Sequence, residues 1–147
     1  MTTVLRYDIG EIEPYINWIY FYHAWGLSGK PESEKARLRA DAETVLAEFK
    51  SRYHTHAVFG LFSANSDGDD IIIDGVRVPF LRQQTRKTDG SPNLCMADFI
   101  RPLSLGKADR IGVFATTVDA GMEKDYCDDD YLKIMSKTLA DRLAEAT

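Results

Sequence analysis

Cysteine is scarce in this chain: Cys95 and Cys127 are the two in 147 residues, far apart and without the paired spacing of a metal site. A disulfide framework is excluded, and free thiols in a reducing cytoplasm are the expectation. No apolar run approaches the ~20 residues that span a bilayer, so no membrane segment is read. The opening MTTVLRYDIGEIEPY lacks a basic start followed by an apolar core, which argues against a secretory signal. Positive charge is also short. A net charge of −5 removes any whole-molecule attraction to phosphate backbones, so nucleic acid is not expected as a partner. Nucleophile elbow, P-loop and dinucleotide fingerprint are all missing, as are internal repeats and low-complexity linkers.

What is present suits one globular domain over residues 1–147, with 44% hydrophobic and 28% charged residues. Tyr15, Trp18, Tyr20, Phe21, Tyr22 and Trp25 predict a largely buried helix from about Pro14 to Leu27. A second helix is predicted from Pro31 to Tyr53, because Leu38, Ala42, Val45, Leu46, Phe49 and Tyr53 form one apolar stripe. The period then changes to that of strands. His56–Phe62 and DDIIIDGVRVPF predict a hairpin, with a turn at Asn65 to Asp69 and a second reversal at Asp74-Gly75. Asp109–Val118 reads as another strand. Asp128–Thr147 reads as a helix with Tyr131, Ile134, Met135, Leu139 and Leu143 on one side and no stop signal at its end. This order predicts an α+β fold with a mostly antiparallel sheet packed with helices.

Several side chains invite chemical readings. Asn65–Asp70 looks like a calcium loop, but Ser63 and Asp74 would fill its first and twelfth ligand positions badly, so a solvated turn is favoured. His54 and His56 share a strand face but have no third ligand at recognisable spacing. His23, among aromatics, reads as a hydrogen-bonded core or cleft residue. Arg82, Arg86 and Lys87, beside Gln83 and Gln84, are either a solvated loop or a surface for a carboxylate or acidic partner. Asp141 and Glu145 lie one helical turn apart at the edge of the last apolar stripe, where Arg142 offers itself as the cation of a structural ion pair.

VFGLFSAN followed by GDD (58–65, 68–70), LRQQ (81–84), CMADF (95–99), the GKAD-x-IG-x-FA segment (106–115), DDY-x-KIM (129–135) and LADRLAEA (139–146) together resemble the activation, or reactivation, domain of cobalamin-dependent methionine synthase. The resemblance covers essentially the whole chain. It implies a repair role, in which S-adenosylmethionine and an electron from a flavodoxin-type protein restore methylcobalamin from cob(II)alamin. The cobalamin itself would be carried by a partner domain. The protein's task would be to hold the sulfonium methyl in line with cobalt.

Residue by residue, the resemblance places Glu145 in contact with S-adenosylmethionine. Asp141 matches an aspartate that receives the histidine released from cobalt. Asn17 stands where the family has an aspartate that contacts the ligand's amino group. An amide there should hold an ammonium more weakly, since charge-assisted hydrogen bonds contribute ~1.5–3 kcal/mol against ~0.5–1.5 for neutral ones. The family's Arg-Pro-x-x-Gly-Tyr-Pro segment, which wraps the ligand, is not found in the sequence. The expectation is therefore the N-terminal portion of such a domain, with an incomplete S-adenosylmethionine site that binds weakly or not at all in isolation. A rival expectation is a non-catalytic docking module for a cobalamin-binding domain or flavodoxin, or a degenerate relative that keeps only the fold. A flavodoxin contact would need a local basic patch, such as Lys35, Arg37 and Arg39 or the Arg82–Lys87 loop.

Overall fold

The computed structural model describes residues 2–147. Its elements run β1 (Thr2–Asp8), α1 (Ile9–Ile12), α2 (Trp18–Ala24), α3 (Glu32–Arg52), β2 (His54–Asp67), β3 (Asp70–Ile73), β4 (Val76–Pro79), β5 (Asp109–Val118), α4 (Gly121–Lys124) and α5 (Asp130–Ala146). The strands form an open five-stranded sheet in the order β1-β2-β3-β4, with β5 also paired to β2. Helices with an antiparallel sheet are the α+β architecture that the sequence predicts. The chain divides into two compact units. One comprises Val4–Val58 and Ala115–Thr147, and the other Phe59–Phe114 with Thr2 and Thr3.

The first unit is helical. α3 starts after Pro31, carries Glu32 and Glu34 in its first turn and ends with Lys50 and Arg52, so its charges complement the helix dipole at both ends. Leu38, Ala42, Val45, Leu46 and Phe49 form its buried stripe, as the spacing predicts. α5 supplies Met135, Leu139, Ala140 and Leu143 to the same core, which also holds Ile9, Ile12, Phe21 and Met122. Fully burying each large side chain contributes roughly 1.5–3 kcal/mol, so this shared core is the unit's main source of stability.

Two expectations need correction here. The predicted aromatic helix is broken: a short 3-10 turn at Glu13–Tyr15 precedes α2, and Asn17 interrupts them in an extended conformation with φ −80° and ψ 93°. It is not largely buried either. Phe21 is the only fully buried residue of α2, while Tyr15, Ile19 and Tyr20 are exposed. Seven helical residues make two turns, enough to seat one side only. His23, expected in a core or cleft, is exposed at the helix's last turn.

The second unit is built on β2, β3 and β4. β2 pairs antiparallel with β3 through Ala64↔Ile73, Asn65↔Ile72, Ser66↔Ile71 and Asp67↔Asp70. The first turn is therefore the two residues Gly68-Asp69, and Asn65 and Ser66 belong to the strand instead of the expected wider turn. The second reversal lies at Asp74-Gly75 as expected, and both residues have positive φ, 45° and 84°. Asp74 tolerates this conformation as few side chains do, and its carboxylate accepts the Ser63 amide at 3.1 Å. Asn65 and Ser66 tie down the long connection before β5. Asn65 Nδ2 donates to the carbonyls of Arg101 and Lys107, and Ser66 Oγ to that of Ile100.

Candidate functional site

Asn17 caps α2: its Oδ1 accepts the backbone N–H of Ile19 at 3.2 Å. This fits the preference of Asn for helix starts, where its side chain satisfies an orphan donor. The residue is exposed, and its amide Nδ2 makes no hydrogen bond among the described residues. Tyr20, one turn along α2, is also exposed and faces α5. The guanidinium of Arg142 lies 6.0 Å from the centre of its ring, at the outer limit for a cation–π contact.

Arg142 in turn grips Glu145. Its Nη1 donates to Glu145 Oε2 in a close ion pair. The structural pairing that the spacing suggests is thus present, and Tyr20, Arg142 and Glu145 form a series that links the Asn17 end of α2 to the last turns of α5. The bond is to one oxygen alone. Glu145 Oε1 has no hydrogen bond among the described residues and remains open to a cationic group. Asp141 lies on the same helix and is exposed. Ile134, expected in the buried stripe, is exposed on this helix as well, so the edge at which Glu145 sits faces solvent.

Elsewhere in this unit, two adjoining recesses of about 390 and 180 Å³ share Asp41 and Tyr131. The Tyr131 hydroxyl donates to Asp41 Oδ2 at 2.6 Å. Burial, with that bond to a carboxylate, pushes the phenol up to about 12. Neither recess includes Asn17 or Glu145 in its lining. Trp25 packs edge-on against Tyr131 at 5.4 Å. The sequence gives no hint of the Asp41–Tyr131 bond, because its partners are 90 residues apart.

The two histidines of β2 meet carboxylates. His56 Nε2 lies 2.8 Å from Asp119 Oδ1, and Asp119 Oδ2 accepts the His54 backbone N–H at 2.8 Å. Desolvation opposes the Asp119 charge, but the bonds from His56 and His54 hold the carboxyl below its ordinary value. Arg6 Nη2 lies 2.9 Å from His54 Nδ1 and 3.1 Å from its Nε2. No group of three or more metal-binding side chains is arranged to hold a cation among the described residues.

In the second unit, Arg82 is tied down. It donates to Asp69, to both oxygens of Asp98 and to the Asn93 carbonyl. These carboxylates raise the guanidinium's proton affinity, and Arg82 with the Cys95 amide lowers Asp98 to about 2. Gln83 closes the loop by exchanging hydrogen bonds with Leu94. The loop is therefore a folded structural element with Arg82 committed inside it. The other basic patch is similarly engaged: Lys35 pairs with Glu32, while Arg39 pairs with Glu43 and stacks 3.4 Å from the Trp18 ring centre.

A family model described as "Vitamin B12 dependent methionine synthase, activation domain" matches residues 8–147. A solved structure described as "Crystal Structure of the MetH Reactivation Domain bound to AdoHcy" is similar at 39% identity and a TM-score of 0.82. The match covers 99% of this chain and 52% of that one. The chain thus spans about half the length of the structure it resembles.

Proposed function

Because the chain belongs to the activation-domain family of vitamin B12-dependent methionine synthase, we propose that it serves the reductive methylation of cob(II)alamin with S-adenosylmethionine. Cobalamin, carried on a partner domain, would supply the metal centre that receives the methyl group. A flavodoxin-type protein supplies the electron, and S-adenosylhomocysteine is left. The residues here bind and orient. Glu145, with Oε1 free, contacts the ligand, Asn17 takes its amino group, and exposed Asp141 meets the histidine released from cobalt. The 147 residues act as one module in the cytoplasm. Among the described residues, no helix is long and apolar enough to cross a membrane.

The observation that supports this reading is the series Tyr20–Arg142–Glu145, which brings the α2 end bearing Asn17 to the helix bearing Glu145. Calorimetry of the chain with S-adenosylmethionine tests it. Saturable but weak binding is expected, because the Asn17 amide holds an ammonium less tightly than a carboxylate would, and no detectable binding would contradict the reading. One observation favours ligand-free docking instead: Asn17 Oδ1 is already used by its own helix. Mixing the chain with a cobalamin-binding domain, with and without S-adenosylmethionine, separates the two. Association that ignores the ligand would support docking.

A further inference from the structure

Tyr20 is the third residue of α2 and stands one turn beyond the capping Asn17, two positions whose side chains lie next to one another at a helix start. Its ring is 55% exposed. Neighbouring aromatic rings are occupied or lie elsewhere. Phe21 is in the core, and Trp18 is covered by the Arg39 guanidinium at 3.4 Å. Tyr15 is exposed but precedes the cap, in the 3-10 turn. Tyr20 faces α5, where Arg142 lies 6.0 Å from its ring centre and is itself committed to Glu145. At that distance Arg142 engages the ring weakly and leaves its surface open to another cation.

S-adenosylmethionine carries such a cation. A short aliphatic chain joins its ammonium to its sulfonium, and side chains one helical turn apart have Cβ atoms about 5–6 Å apart, a span of the same order. A ligand whose ammonium meets Asn17 therefore brings its sulfonium beside the next turn of α2, where Tyr20 stands. We propose that the Tyr20 ring is a specificity-determining surface that distinguishes the charged sulfonium from the neutral thioether. This inference rests on the ligand reading above and deepens it. The attraction runs between the negative face of the ring and the positive sulfur. When the methyl group leaves, the sulfur keeps the electron pair of the broken S–C bond and loses its charge. The ring then holds S-adenosylhomocysteine less tightly, so the product departs more readily than the donor.

Amide-shift titrations of the full chain with each of the two ligands test it. Tyr20→Leu should weaken S-adenosylmethionine roughly two- to fivefold, the range of an exposed cation–π contact, and leave S-adenosylhomocysteine unchanged. Tyr20→Phe keeps the ring and should bind both ligands as the unaltered chain does, as should Tyr15→Leu. Tyr20→Trp supplies the better ring and should widen the preference for the sulfonium, so the test does not rest on a loss alone. Equal losses for both ligands in Tyr20→Leu would show that the ring only packs, and would overturn the proposal while the ligand reading stands. A selective loss in Tyr20→Phe or in Tyr15→Leu would overturn it in favour of the hydroxyl or of the other ring. Saturable binding of neither ligand by the unaltered chain would overturn the ligand reading itself, and this inference with it.

Discussion

Arg142 holds Glu145 by one carboxylate oxygen while its guanidinium faces the ring of Tyr20 on a different helix. Glu145 is thereby oriented but not exhausted. The pair spans one turn of α5, and the glutamate is half exposed. Its worth to folding is accordingly small, about 0–1 kcal/mol. Arg142→Met should lower stability by no more than that in urea unfolding. A loss above about 2 kcal/mol would show that the pair is a structural keystone rather than a surface device.

Thr55 offers a stabilising substitution. It is fully buried on β2, and its hydroxyl has no hydrogen-bond partner among the described residues. An unsatisfied buried polar group costs about 1–3 kcal/mol, and an apolar group of the same shape avoids that cost. Thr55→Val should raise stability by about 1 kcal/mol, seen as a higher urea midpoint with unchanged slope. A lower midpoint would mean that the hydroxyl has a partner.

At Gly121, a Cβ would stand 2.7 Å from Cε1 of Tyr53. That ring cannot easily give way, because its hydroxyl donates to Asp125 at 2.6 Å and its face packs edge-on against Phe49. Gly121→Ala should therefore destabilise by about 1–3 kcal/mol, the usual cost of overpacking. Unfolding of the purified variant measures it, and an unchanged midpoint would show that α4 shifts freely.

The Arg82 hub sets a pH dependence. Asp98 lies at about 2 when folded against an ordinary 3.8, chiefly because Arg82 donates to it, with help from the Cys95 amide. A depressed carboxyl favours the folded state in its ionised form. Its contribution is fully present above 3.8 and is lost as pH falls through about 2. Arg82→Met should raise the Asp98 titration midpoint, followed by carboxyl NMR, towards 3.8. A midpoint that stays near 2 would assign the shift to the Cys95 amide alone.

Much of this architecture is legible in the sequence where one side chain pattern dominates. Asp109–Val118 is read to the residue, and α3 within one residue at each end, because its apolar stripe and terminal charges agree. β1 escapes notice: TTVLRYD is mostly exposed and no turn residues precede it, so neither alternation nor punctuation signals a strand. The aromatic density around α2 misleads, since Tyr15 and Tyr20 face outward. Arg82 shows the same limit from the other side. Its carboxylate partners lie 13 and 16 residues away, beyond what spacing within one element can reveal. The Arg142–Glu145 pair is within reach because residues three apart on a helix share a face.

The most direct test follows backbone amide shifts of the isotopically labelled chain as S-adenosylhomocysteine is added. Shifts should cluster at residues 17–20 and 142–145, with an affinity on the order of 1 mM, or about −4 kcal/mol. Glu145→Gln should weaken binding roughly tenfold, the difference between a charge-assisted and a neutral hydrogen bond. Saturable shifts confined to other residues and insensitive to Glu145→Gln would contradict the account.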